Sequence, residues 1–137
     1  IYNRGNAHFA KGEADRAIAN YNQALAINPK YEDALVNRGV AHEKKGALDR
    51  AIADYDEALK LEPKDAVAYN NRGNALLKKG DYDRAIADYD RAIRLDPKYV
   101  SAYFSRAIAF EGKKRFDYAI ADYGQAIKLN PQYAGAF

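Results

Sequence analysis

The stretch Tyr69–Pro97, YNNRGNALLKKGDYDRAIADYDRAIRLDP, holds two helical patterns separated by one glycine. In 66–79 the residues Tyr69, Gly73, Leu76 and Leu77 fall at helical spacing, and Gly80 supplies the stop. In 82–95 the residues Tyr82, Ala85, Ile86, Tyr89, Ala92 and Ile93 form one apolar stripe. Asp96 closes it, because the proline that follows pushes its predecessor out of the α region. One feature is odd. Three asparagines, Asn70, Asn71 and Asn74, crowd the first helix, although their amides compete with the backbone for hydrogen bonds.

The same pattern recurs outward in both directions. Pro29, Pro63, Pro97 and Pro131 are spaced by 34 residues, as are Arg4, Arg38, Arg72 and Arg106. Tyr21, Tyr55, Tyr89 and Tyr123 keep that step, and so do Ala17, Ala51, Ala85 and Ala119. Aligning 32–65 with 66–99 gives 20 identities in 34 positions, which chance does not produce. A fixed period of this length, with two helices per unit, predicts an all-α solenoid. The units are 1–31, 32–65, 66–99 and 100–133 in a single domain over 1–137, with 134–137 opening a fifth. The array reads as a segment of a longer one.

The period predicts eight helices of about 12–14 residues, the first truncated, and no strand. Turns are expected at Gly12, Gly46 and Gly80; in the fourth copy the glycine has moved to Gly112, so distortion is expected at Lys113–Arg115. Lysines at the ends of first helices and the aspartates Asp15, Asp49, Asp83 and Asp117 at the starts of second helices suit the helix dipole. Gly5, Gly39 and Gly73, with Ala107 in register, sit mid-helix, where glycine costs about 1 kcal/mol against alanine. Close approach to the alanine rows of the paired helix is the expected return.

Composition removes several function classes. There is no Cys and no Thr, and the only serines are Ser101 and Ser105, so nucleophilic catalysis has little to use. The net charge of +3 is small against 22 basic and 19 acidic residues, and the longest basic run is Lys113–Arg115. No nucleic-acid tail and no membrane-spanning run are read from this pattern. His8 and His42 also repeat, but Leu76 and Phe110 hold the equivalent places, which marks a packing position and not a metal pair. No enzyme activity, metal or cofactor is expected.

The skeleton of Tyr69–Pro97, repeated through the whole chain, resembles the tetratricopeptide repeat. The pentatricopeptide family, whose period is one residue longer, fits less well. The resemblance implies a right-handed α-solenoid of four helix–turn–helix repeats whose first helices line a concave groove. It also implies a protein-interaction role: a scaffold or adaptor that binds an extended or helical peptide. Two alternatives stay open: a substrate-recognition arm of a larger enzyme such as a glycosyltransferase, and a self-associating array. In the second, the α-face around Phe116, Ile120, Tyr123 and Ile127 would meet the head of another copy near Ile1, Tyr2 and Phe9, giving head-to-tail contacts.

The asparagines gain a reading in that frame. Residues at i, i+3 and i+4 share a helix face, so Asn70, Asn71 and Asn74 stand together. Asn3, Asn37 and Asn71 then form a ladder along the groove, with Asn6 and Asn74 on a second rail. A carboxamide can meet a peptide N–H and C=O together. The row is similar to the asparagine ladder of O-linked N-acetylglucosamine transferase superhelices. The other reading is that these amides are merely solvated. Val36, Val40, Leu77, Phe104 and Ile108 supply apolar groove positions, and Asp33, Glu43 and Glu111 against Lys44 and Lys78 leave a net charge of −1 there. Tetratricopeptide domains that bind chaperone C-termini use a clamp of Asn with Lys and Arg. Asn6 and Asn37 match its amide positions, but Tyr2, Val67 and Asn71 occupy its cationic ones, and Val36, Ser101 and Ser105 do so in the next register. Chaperone-tail binding is therefore not expected.

Overall fold

The computed structural model describes residues 13–132. Over this span the chain forms seven α-helices: α1 (Ala14–Ile27), α2 (Glu32–Lys44), α3 (Leu48–Leu61), α4 (Ala66–Lys78), α5 (Tyr82–Leu95), α6 (Val100–Gly112) and α7 (Phe116–Leu129). They run 13 or 14 residues, as the period requires, and no strand occurs among the described residues. The expected first helix and the turn at Gly12 lie outside the described residues.

Each turn follows from its residues. The second helices end at Asn28, Glu62, Asp96 and Asn130, all extended at ψ 88 to 97 as a following proline demands. The side chain of each of these four accepts a hydrogen bond from the backbone N–H two residues on, at 3.1 Å, which fixes the link. The tight turns inside hairpins need a left-handed residue, supplied by Gly46 (φ 77) and Gly80 (φ 81). The fourth such turn is not distorted, contrary to expectation. Lys114 adopts φ 60 in the glycine's place. Its N–H still bonds to the Glu111 carbonyl at 2.9 Å, and the Arg115 N–H to that of Phe110 at 2.8 Å. Gly80 and Asp81 make the same pair of bonds. The helix-end hydrogen bonds hold the geometry against the strain of a side chain in that region.

The chain divides into two units, 1–64 and 65–137. In the first, α2 packs on α1 and pairs with α3 as a hairpin. In the second, α4–α5 and α6–α7 are hairpins, α6 packs on α5, and α4 touches α6. Both cores are built from small residues around large rings. Ala51, Ala58, Ala85, Ala92 and Ala126 are sealed, and among the largest fully buried side chains are Tyr21, Tyr55 and Tyr89. Alanine keeps paired helices close, while each tyrosine fills the space between them.

Candidate functional site

Three arginines of the first helices are anchored inside their own hairpins. Arg38 donates from Nε and Nη2 to Asp54 at 2.8 and 2.7 Å, and Arg106 does the same to Asp122 at 2.8 and 2.7 Å. Arg72 and Asp88 form the same fork at 2.8 Å. The three aspartates are buried, so each carboxylate is compensated by a planar, two-bond partner. The remaining nitrogen clips the preceding second helix: Arg38 Nη1 to Asn22 at 2.8 Å, and Arg106 Nη1 to Asp90 at 2.7 Å. The hydrogen bond to Asp54 raises the Arg38 pKa. Burial pulls Arg106 down, but its bonds to Asp122 and Asp90 outweigh this and leave it raised. The repeating arginine was visible in the sequence. Its buried acid partner was not singled out, although Asp54, Asp88 and Asp122 are also spaced by 34.

The mid-helix glycines face rings and not the alanine rows. A Cβ on Gly39 would stand 2.5 Å from the Tyr55 ring, and one on Gly73 would stand 2.8 Å from Tyr89. Those rings stand against the first helix at these glycines, and their hydroxyls reach neighbouring positions on it. There the Tyr55 hydroxyl donates to Glu43 at 2.6 Å and the Tyr89 hydroxyl to Asn74 at 2.7 Å. Burial and the adjoining Glu43 push the Tyr55 pKa far above its ordinary value. Gly112, displaced from the turn, serves a contact of the same kind. A Cβ there would come within 2.5 Å of the Tyr82 ring.

His42 is buried, with Nε2 3.8 Å from Asp54, and burial lowers its pKa despite that carboxylate. It occupies a packing position, and among the described residues no group of three potential ligands could hold a metal ion. His8 lies outside the described residues. No helix there is long and apolar enough to cross a membrane.

The expected groove residues divide into three groups. Asn3 and Asn6 lie outside the described residues. Asn70 and Val36 are buried, Asn70 to 4% exposure, so neither is open to a ligand as the helix-face argument expected. Positions 36 and 70 share a register on the first helices, and the Asn70 Oδ1 is buried without a hydrogen bond. Asn74 is half-buried and engaged by Tyr89. The remaining residues are accessible. In the first unit these are Asn37 and Val40, both half-buried. In the second, Asn71, Leu77 and Phe104 are half-buried and Ile108 is 38% exposed. Among the described residues nothing bonds to the Asn71 carboxamide. Val67, one turn before it on α4, is 48% exposed.

Sequence-family comparison decides the class. The family model described as "Tetratricopeptide repeat" matches residues 66–99 and 100–133, and that described as "TPR repeat" matches 5–46 and 44–80. The chain belongs to the tetratricopeptide repeat family. Its fold class is the all-α solenoid of helical hairpins that the period predicts. No curated protein matches the chain by sequence. Among solved structures, it is similar to a crystal structure of MamA, at 28% identity and TM-score 0.86, covering 93% of this chain and 74% of that one. It is also similar to the tetratricopeptide domain of Arabidopsis OM64, at 34% identity and TM-score 0.73, covering 74% of this chain and 84% of that one. A third similar structure is the first such domain of Spaghetti (RPAP3) bound to the HSP90 peptide SRMEEVD. It is 27% identical with TM-score 0.72, over 73% of this chain and 79% of that one.

Proposed function

We propose that this tetratricopeptide chain acts by binding and not by catalysis, holding a peptide segment of a partner protein on the open faces of its first helices. Asn71 carries the reading. It is a half-buried carboxamide with its hydrogen-bonding capacity unspent, beside the exposed apolar Val67 on a helix whose other face is sealed. An amide so placed holds a ligand's backbone, and the neighbouring apolar residues take its side chains. Asn37 holds the corresponding position in the first unit. The RPAP3 structure supports a peptide as the ligand class, but its acidic peptide is the wrong kind here. All three described first-helix arginines are spent on Asp54, Asp88 and Asp122.

Photocross-linking tests this. A benzoylphenylalanine at Val67 should capture a peptide from a random extended-peptide pool, and one at Arg94 on α5 should not. Equal capture at both positions sinks the reading. Changing Asn37 and Asn71 to alanine together should weaken that capture while moving stability by no more than about 0.5 kcal/mol, as surface substitutions do.

A second reading has its own observation. On α7, Ile120 is 70% and Phe116 57% exposed, whereas Ile86 and Tyr82, their counterparts on α5, are half-buried in a unit where α6 packs on that helix. An apolar face of this kind suits head-to-tail association of copies. Its intended counterpart, Ile1, Tyr2 and Phe9, lies outside the described residues. Sedimentation over a hundredfold concentration range should show the mass rising, and Ile120→Lys should abolish the rise.

A further inference from the structure

The fourth hairpin breaks the tyrosine arrangement of the others. Tyr55 and Tyr89 are fully buried against Gly39 and Gly73. At the corresponding place α6 carries Ala107 instead of glycine. Tyr123 is only half-buried. Its ring meets Phe104 edge-to-face, centroids 5.6 Å apart at 66°, and its hydroxyl donates to the Glu111 carboxylate. Phe104 and Glu111 stand on α6 on either side of Ile108, and Glu111 is exposed. Among the described residues no cation pairs with Glu111. Two aromatic rings beside a carboxylate fixed by a tyrosine hydroxyl form a corner suited to a cation, through the ring quadrupoles and charge-assisted hydrogen bonds. The other described hairpins lack the complete set, although in the second the Tyr55 hydroxyl donates to Glu43 as Tyr123 does to Glu111. In the second, Val36 replaces the phenylalanine and Tyr55 is sealed; in the third, Asn70 and Asn74 replace both the phenylalanine and an apolar neighbour of the acid position, which is Leu77.

We infer that Phe104, Glu111 and Tyr123 form a subsite for a lysine or arginine side chain of the partner peptide, so that the fourth repeat selects a basic residue. The subsite rests on the peptide-binding reading for its natural ligand, but its chemistry is testable without a peptide. Burial and Glu111 push the Tyr123 pKa up to about 12, so the hydroxyl stays protonated and keeps donating at neutral pH. The carboxylate's second oxygen is then left for the ligand. Arg106, the nearest fixed guanidinium on α6, is committed to Asp122 and Asp90 and does not compete.

The probe is n-butylguanidinium, titrated into the intact ¹⁵N-labelled chain at constant ionic strength. The amide signals of Phe104, Ile108, Glu111 and Tyr123 should shift and saturate. Glu111→Gln should weaken the apparent affinity about fivefold, the scale of an exposed ion pair joined to a cation–π contact. Tyr123→Phe, which removes the hydroxyl that holds the Glu111 carboxylate, should weaken it as well. Uniform, unsaturating shifts overturn the subsite, as does an unchanged titration in Glu111→Gln. A second arm uses two fluorescein-labelled peptides of equal length, one with a central arginine and one with a central glutamate, read by anisotropy. Tighter binding of the arginine peptide, lost in Glu111→Gln, supports the inference. Equal binding of both peptides with no guanidinium response removes the subsite and leaves the peptide groove. A guanidinium response with neither peptide bound keeps the subsite and removes the groove.

Discussion

Gly73→Ala and Gly124→Ala make the same chemical change in helices but should move stability in opposite directions. In an open helix interior, alanine is better than glycine by about 1 kcal/mol, because it loses less backbone freedom on folding. Gly124 has nothing within 4 Å of an added Cβ, so Gly124→Ala should gain about that amount. At Gly73 the new methyl would meet three atoms of the Tyr89 ring at 2.8 to 3.1 Å. Tyr89 is fully buried and cannot yield without repacking, and overfilling a core costs about 1–3 kcal/mol. Moving the ring also endangers the 2.7 Å bond from its hydroxyl to Asn74, about 1 kcal/mol more. Subtracting the helix gain leaves a net loss of about 1–3 kcal/mol. Urea unfolding followed by circular dichroism, with an unchanged m-value, reads both variants. If Gly73→Ala proved as stable as the parent, the ring would not be seated on the helix backbone and the close-approach argument would fall. Gly124→Ala guards against a general error in the helix term.

Asp88→Ala should cost about 3 kcal/mol, because it strands the Arg72 guanidinium in a mostly buried site; the paired change Arg72→Met with Asp88→Leu should recover much of that loss in the same unfolding assay. Lys114→Gly should stabilise by about 1 kcal/mol, since φ 60 is a conformation in which a side chain is strained and glycine is not; a lowered thermal midpoint would contradict it. His42 has a depressed pKa, so the unfolded chain binds its proton first and stability should fall as pH drops below about 6.5. His42→Leu, the residue found at Leu76, should flatten that part of the pH profile. Tyr123 is raised to about 12, so the stability it contributes is complete below pH 10 and declines as pH climbs toward 12; ultraviolet titration of Tyr123→Phe should lose one tyrosine ionisation near pH 12.

The 34-residue step of proline, arginine, tyrosine and alanine was enough to give the helix count per unit, the helix lengths and the family. Those properties are local and periodic. A proline ends a helix wherever it stands, and apolar spacing selects the helix face before any neighbour is known. The ends of the hairpins were legible for the same reason, except at Lys114. There the sequence showed a missing glycine, while the hydrogen bonds of the turn imposed the left-handed backbone regardless. The site was less legible because it depends on which side chains meet across helices. Helix geometry put Asn70 beside Asn71, but only packing showed that Asn70 is buried while Asn71 stays accessible. Glycine periodicity announced a close approach, and the tertiary structure made its partner a tyrosine ring instead of an alanine. The single methyl of Ala107 looked like a minor departure from the repeat. Only with α7 laid against α6 does the structure show Tyr123 half-buried and meeting Phe104 and Glu111.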